Sequence, residues 1–246
     1  MPSYCWPTHV STDTASDIVS AVSPLVVVSP HYDDAIFSCG HLLSIVPGST
    51  VLTVYTALPQ DTDLLTDWDN RCGFQSAGDA MRARATENRK ALAAVHAKGE
   101  DLGFLDSQYA RPSETNADLL GDSLGAALVR LQPATVFSPL GLFHEDHLRV
   151  SDALMMICHR FPEIRWYAYE DIPYRKQSRL VRQRLARLAE QGVCAAPVPA
   201  GGAAAGKAVA VRAYRSQFRG LGYEDERPIL QHVEQYWRIH RNMELL

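Results

Sequence analysis

The sequence lacks most of the features that take a chain out of the class of ordinary globular enzymes. No apolar run approaches the roughly 20 residues that a membrane-crossing helix needs, so no membrane insertion is expected. There is no basic excess: 24 Lys and Arg stand against 28 Asp and Glu, a formal net charge of −4. Nucleic acid and anionic lipid therefore find no electrostatic footprint. Cysteine is scarce and odd in number, with five residues scattered at Cys5, Cys39, Cys72, Cys158 and Cys194. None forms a C-x-x-C pair, which argues against both a disulfide framework and a thiolate zinc knuckle. Any metal must then be held by His and carboxylate. Met1 to Ser20 is polar and has no basic segment leading into an apolar one, so no secretory leader is expected and a cytoplasmic location is. There is no internal repeat.

What is present is ordinary in bulk and specific in detail. With 46% apolar and 21% charged residues in 246, the chain can bury a sizeable core as one domain, 1–246. Strand and helix patterns alternate between residues 25 and 169. Short strands are expected at Leu25–Ser29, a continuous apolar run, and at Val51–Thr56, Asp101–Leu105, Thr135–Ser138 and Arg165–Tyr169. Helical spacing fills Ala35–Val46, Asp79–Ala97, Leu119–Leu131 and Leu148–Cys158. This is the pattern of an α/β fold: a Rossmann-like, doubly wound, mostly parallel sheet of about five core strands with helices on both faces. The expected strand order is 3-2-1-4-5.

Leu58–Ala77 is expected to be a long binding loop or lid, and Ser107–Asn116 a second exposed loop. Beyond a core of about 24–175, a C-terminal helical extension, 176–246, is expected. It contains a low-complexity, flexible stretch at Ala195–Gly206 and a last segment with Tyr236 and Trp237 that packs back on the body. Apolar residues of that segment suit a homo-oligomer contact as well as a core contact.

Two stretches carry the chemistry. Ser29-Pro30-His31-Tyr32-Asp33-Asp34 leaves the first strand, and Gly141-Leu142-Phe143-His144-Glu145-Asp146-His147 follows the fourth. In open α/β sheets ligands bind outside the carboxyl ends of the strands, where strands one and four are neighbours. Hydrolytic zinc takes three His or carboxylate ligands and leaves one position open. His31, Asp34 and His147 supply that set. Asp33 is placed to take a proton from water. His144 is placed to protonate the leaving group or to hydrogen-bond an oxyanion, with Asp146 holding its ring. Taken singly, each motif also reads as a helix cap; their pairing after two buried strands favours a site.

SPHYDD and GLFHEDH resemble the two signature motifs of the LmbE-like, or PIG-L, zinc N-deacetylases. Arg84-x-x-Glu87, Phe104-Leu105-Asp106, Tyr169-Glu170-Asp171-Ile172-Pro173-Tyr174, Lys207 and Tyr214-Arg215-Ser216-Gln217 resemble further features in family order. The resemblance implies one Zn2+ per chain on His31, Asp34 and His147, with Fe2+ or another divalent ion as an alternative occupant. It implies Asp33 as base, His144 as electrostatic or acid partner, and an N-acetylglucosaminyl conjugate or related amino sugar conjugate as substrate. Tyr32 and Ala35 depart from the family's usual HPDDE pattern, which bears on pocket shape rather than on the ligands. Candidate substrate contacts are Arg71, Arg84, Asp106, Trp68 and Glu170. Two other readings stay open: a two-metal phosphoesterase and a non-catalytic sugar-conjugate-binding relative.

Overall fold

Leu25-Val26-Val27-Val28-Ser29 has no polar face, and the fold gives it none. The computed structural model describes residues 23–110, 117–172, 174, 177–198 and 205–241. In it all five residues of this first strand, β1 (Leu25–Ser29), are buried. Val27 faces one core with Ile36, Phe37, Met81 and Leu92, while Val26 and Val28 face another with Leu124, Leu128, Val150 and Leu154. Alternate side chains pointing to opposite, equally covered faces is why the strand reads as a continuous apolar run. Burying each valine contributes about 1.5–3 kcal/mol.

The remaining elements follow in order: α1 (Asp34–Ile45), β2 (Thr50–Tyr55), α2 (Asp67–Cys72), α3 (Ala77–Ala94), β3 (Lys98–Phe104), α4 (Ala117–Leu131), β4 (Thr135–Pro139), α5 (Glu145–Ile157), β5 (Arg165–Tyr169), α6 (Ser178–Glu190), β6 (Val193–Val198), α7 (Ala205–Val211), α8 (Arg215–Leu221), α9 (Arg227–Leu230) and β7 (Tyr236–Arg241). One seven-stranded sheet has the order β3-β2-β1-β4-β5-β7-β6. Strands β1 to β5 are parallel, in the expected 3-2-1-4-5 order. Strand β1 lies against β4, with Val26 opposite Val136 and Val27 opposite Phe137. The two chemistry-bearing stretches thus leave adjacent strand ends at the switch point of the sheet.

Two expectations need correction. The C-terminal extension is not only helical: β7 pairs antiparallel with β5 (Tyr169 opposite Tyr236) and with β6. Part of the supposed flexible stretch, Ala195–Val198, lies in β6, while residues 199–204 lie outside the described residues. The sequence VCAAPV has little strand character of its own. It is held by Val193 and Val198, both buried, and its Pro197 is tolerated because β6 is the outer strand. Second, the long loop Leu58–Ala77 contains α2. Thr66 caps it by accepting from the Asp69 N–H at 3.1 Å, and Gly73 ends it at φ +89°. Most of the expected loop Ser107–Asn116, from residue 111 on, lies outside the described residues.

Candidate metal centre and crevice

Every parallel strand delivers a side chain to one crevice. Tyr55 comes from the end of β2, Asp106 from the turn after β3, His31 to Asp34 from the turn after β1, and His144 and His147 from the start of α5. Tyr174 follows β5. The cavity they line has a volume of about 390 Å³, of a size that accepts a small ligand.

His31, Asp34 and His147 converge there, with one donor atom from each lying within 4.8 Å of the others. His31 Nδ1 is 3.3 Å, and His147 Nε2 3.2 Å, from the same oxygen, Asp34 Oδ2. The turn is locked locally: that oxygen also accepts from the His31 N–H at 2.8 Å, and Ser29 Oγ accepts from the Ala35 N–H at 3.0 Å. Asp33 stands at the N-cap position of α1, yet its side chain makes no capping bond. The capping reading of this motif therefore fails, and the Asp33 carboxylate is left to the crevice.

The outer nitrogens of both imidazoles face carboxylates. His31 Nε2 is 3.1 Å from Asp146 Oδ2, and His147 Nδ1 is 2.7 Å from Asp171 Oδ1. Carboxylate–imidazole pairs of this kind fix the tautomer of a metal-binding histidine. The sequence reading takes Glu170 as a substrate contact and gives its neighbour Asp171 no role. Asp171 also accepts from the Gly141 and Leu142 N–H groups at 3.0 and 3.1 Å. One buried carboxylate thus positions both the His147 ring and the loop leading to it. Gly141 is required at that loop: at φ +83°, a Cβ there would sit 2.9 Å from Ser151 Cβ.

The electrostatics match a centre built for a cation. Burial pulls His147 down, but the Asp34 and Asp171 carboxylates outweigh it and push it up to about 10. His31 is likewise raised against burial by Asp106, Asp146 and Asp34. Asp34 is held well below the usual carboxylate range: burial opposes this, and His147 and His31 overcome it. The carboxylates reserve this place for positive charge, and a donor set of two imidazoles and one carboxylate fits zinc or another divalent ion. Asp33 is pushed up to about 7, first by burial and then by the charge on Asp34.

His144 is the N-cap of α5: its Nδ1 accepts from the Asp146 N–H at 3.2 Å. That bond assigns the proton of the neutral ring to Nε2. Burial, then the positive charge of His31 and His147, holds His144 down at about 4, so the ring is neutral. The expected hold of Asp146 on His144 is corrected. Asp146 Oδ2 lies 4.0 Å from His144 Nδ1 but takes the Ser107 N–H and hydroxyl at 3.2 and 2.9 Å, as well as His31. The backbone N–H of Asp146 orients His144, and its carboxylate orients His31.

A second three-residue cluster, His31, His144 and Asp146, shares His31 with the first. Two ions would have to share one imidazole, with His144 Nδ1 already engaged as a cap. The arrangement suits one ion, which disfavours the two-metal phosphoesterase reading.

Of the expected substrate contacts, Trp68, Arg71, Arg84 and Asp106 line the crevice. Arg71 lies over the Trp68 ring at 5.1 Å. Arg84 is buried rather than on a solvated helix face. Its Nη2 is 2.6 Å from Asp69 Oδ1, and the Tyr109 hydroxyl donates to Asp69 Oδ2 at 2.8 Å. Asp106 is held by the Gln108 N–H and side-chain amide at 3.0 and 2.7 Å. Glu170 is corrected: it is not among the residues lining the crevice, and it accepts from Trp237 Nε1 at 3.1 Å. The weaker expected features prove to be mainly framework. Glu87 accepts from the Ser216 N–H and hydroxyl at the start of α8. The Tyr214 hydroxyl is 2.9 Å from the Tyr32 carbonyl. Lys207 pairs with Glu234 beneath α1. Tyr214 and Gln217, from the same group, do line the crevice.

Comparisons with known proteins agree with this fold. The family model of PIG-L, GlcNAc-PI de-N-acetylase, matches residues 26–158, more than half of the chain. No curated protein matches significantly. Among solved structures, a triple mutant of the deacetylase in the teicoplanin biosynthetic pathway superposes with a TM-score of 0.74 at 22% identity, over 90% of this chain and 100% of that one. The A40926 pseudoaglycone deacetylase Dbv21 gives 0.70 at 20%, over 89% and 97%. N,N'-diacetylchitobiose deacetylase from Pyrococcus horikoshii gives 0.55 at 15%, over 96% and 92%. At these identities the likeness is one of fold.

Proposed function

Since the chain belongs to the PIG-L family of de-N-acetylases, we propose that it hydrolyses the amide of an N-acyl amino sugar conjugate, releasing acetate or another small acid. The single observation that carries this reading is the convergence of His31, Asp34 and His147 from two loops, with Asp33 beside them free of any capping duty.

A divalent ion, zinc in this reading and one per chain, would be held by His31, Asp34 and His147; it would polarise the acyl carbonyl and lower the pKa of water from about 16 to about 7. Asp33 takes a proton from the attacking water as its oxygen adds to the carbonyl carbon. His144 donates its Nε2–H to the developing oxyanion. When the C–N bond breaks, Asp33 returns the proton to the departing amine nitrogen, leaving the free amino sugar and the carboxylic acid. Asp146 and Asp171 keep the two ligand rings turned to the centre. Asp106 and Arg84 lie where sugar hydroxyls are met.

Support for the substrate class comes from the family and from neighbours of the same fold, which act on sugar conjugates such as teicoplanin and diacetylchitobiose. Among the described residues no helix is long and apolar enough to cross a membrane. Cys39, Cys72 and Cys158 are free and buried, which suits the cytoplasmic location that belongs to this reading. The test is acetate release from N-acetylglucosaminides by zinc-loaded protein. Turnover should stop on chelation and return with zinc. Turnover that is indifferent to chelation contradicts the mechanism, and tight sugar binding without acetate release across a panel of conjugates favours the binding-relative reading.

A further inference from the structure

Phe143 sits where a large aromatic residue is costly and contributes little to the fold. Its φ is +63°, and the N–H of His144 donates to the Leu142 carbonyl across it at 2.7 Å. This is a three-residue γ-turn of the positive-φ kind, which is rare and strained. A bulky side chain there is an outlier, and such strain persists only where the surroundings fix the backbone. They do so here: Asp171 holds the two residues before Phe143, and the residue after it, His144, is fixed as the cap of α5. The ring itself is 66% exposed, so burial does not repay the strain.

The ring does have a direction. It lines the crevice mouth and pairs with Tyr174 at 5.4 Å between centroids, 34° from parallel. The Tyr174 ring in turn meets His147 edge-on at 5.6 Å. From the ligand imidazole outward, one wall of the crevice is therefore aromatic, ending in a solvent-exposed face. Trp68 and Leu221 also line the crevice. Asp106 and Arg84, the lining groups that would meet sugar hydroxyls, are both buried. A small amino sugar needs those buried polar groups alone, whereas an exposed aromatic face suits a flat apolar group attached to the sugar.

We infer that Phe143 and Tyr174 form a stacking platform for an aromatic aglycone, and that the substrates are amino sugars carrying such a group. The inference rests on the amino-sugar reading of the same crevice and adds the chemistry of what the sugar is attached to.

The test separates binding from turnover. The affinity of zinc-loaded protein for phenyl and methyl β-glucosaminide, both already free amines, is measured by calorimetry, with the disaccharide glucosaminyl-glucosamine as a third probe. Wild type should bind the phenyl glycoside about five- to tenfold tighter than the methyl glycoside, as stacking of this kind gives. Phe143→Gly, which fits the turn without strain, should remove most of that ratio while melting no lower than wild type; Tyr174→Leu should reduce it. A phenyl-to-methyl ratio near one in wild type, or a ratio that Phe143→Gly leaves unchanged, overturns the platform. So does a disaccharide that gains from Phe143 as much as the phenyl glycoside does, and so does failure of every glucosaminide to bind. A Phe143-dependent preference without acetate release from the N-acetyl forms supports the platform and sinks the deacetylase reading instead.

Discussion

The buried Asp171 carboxylate meets His147 Nδ1 at 2.7 Å, and the Gly141 and Leu142 N–H groups at 3.0 and 3.1 Å. The second residue after β5 thereby positions a histidine that follows β4. Removing this partner leaves the ring free to turn and a loop without its acceptor.

Asp171→Asn should keep the fold and weaken zinc binding by about 10- to 100-fold. Competition with a chromogenic chelator measures this. Wild-type affinity in the variant would show that Asp171 serves the loop alone.

Asp33 makes no capping bond and lies beside the proposed ligand Asp34. Asp33→Asn should retain the metal and lower kcat by about 10²- to 10⁴-fold. Elemental analysis and acetate release, run on the same preparation, check both parts. Loss of metal together with activity would make Asp33 a ligand rather than a base.

His144 caps α5, and that duty can be separated from its proposed role as oxyanion donor. His144→Ala should lower kcat/KM by about 10²- to 10³-fold through loss of the oxyanion donor, and should cost about 1 kcal/mol of stability through loss of the cap of α5. His144→Ser restores a capping oxygen and should recover the stability but not the rate. Chemical denaturation and initial rates together decide this; recovery of the rate with the cap would reduce His144 to a structural role.

Lys207 donates to the Phe37 carbonyl and to Glu234, both at 2.7 Å, and Glu234 in turn accepts from the His41 and Leu42 N–H groups of α1. Lys207→Met strands the buried Glu234 and should cost about 3 kcal/mol, the lower end for breaking a buried pair. Adding Glu234→Gln should recover part of that loss. Urea unfolding measures both, and additive losses would contradict the coupling.

The sequence was most informative where one local signal decided the outcome. Leu25–Ser29 and Thr135–Pro139 are apolar on both faces because both faces are covered, and their exits meet because β1 and β4 pair. That made His31, Asp34 and His147 legible as a set. It did not resolve Glu170 from Asp171. Both are acidic and adjacent, and only the course of the chain past β5 turns one to Trp237 and the other to His147. Helix α2 was hidden in an Asp-rich stretch, since six residues show no clear period and only the Thr66 cap and Gly73 stop mark it. Strand β6 was hidden because its sequence has weak strand propensity and depends on β7 for its pairing. The strained backbone at Phe143 left no trace, since nothing in Leu142-Phe143-His144 resembles a glycine turn.

The most direct test is metal per chain, by elemental analysis of tag-free wild-type protein and of His147→Ala after zinc loading and removal of excess. The expected result is about one zinc per wild-type chain, lost in the variant, because His31 and Asp34 from one loop and His147 from the other converge on one place. Zinc retained in His147→Ala, or a wild-type chain that holds none, would contradict a shared centre and with it the hydrolytic mechanism.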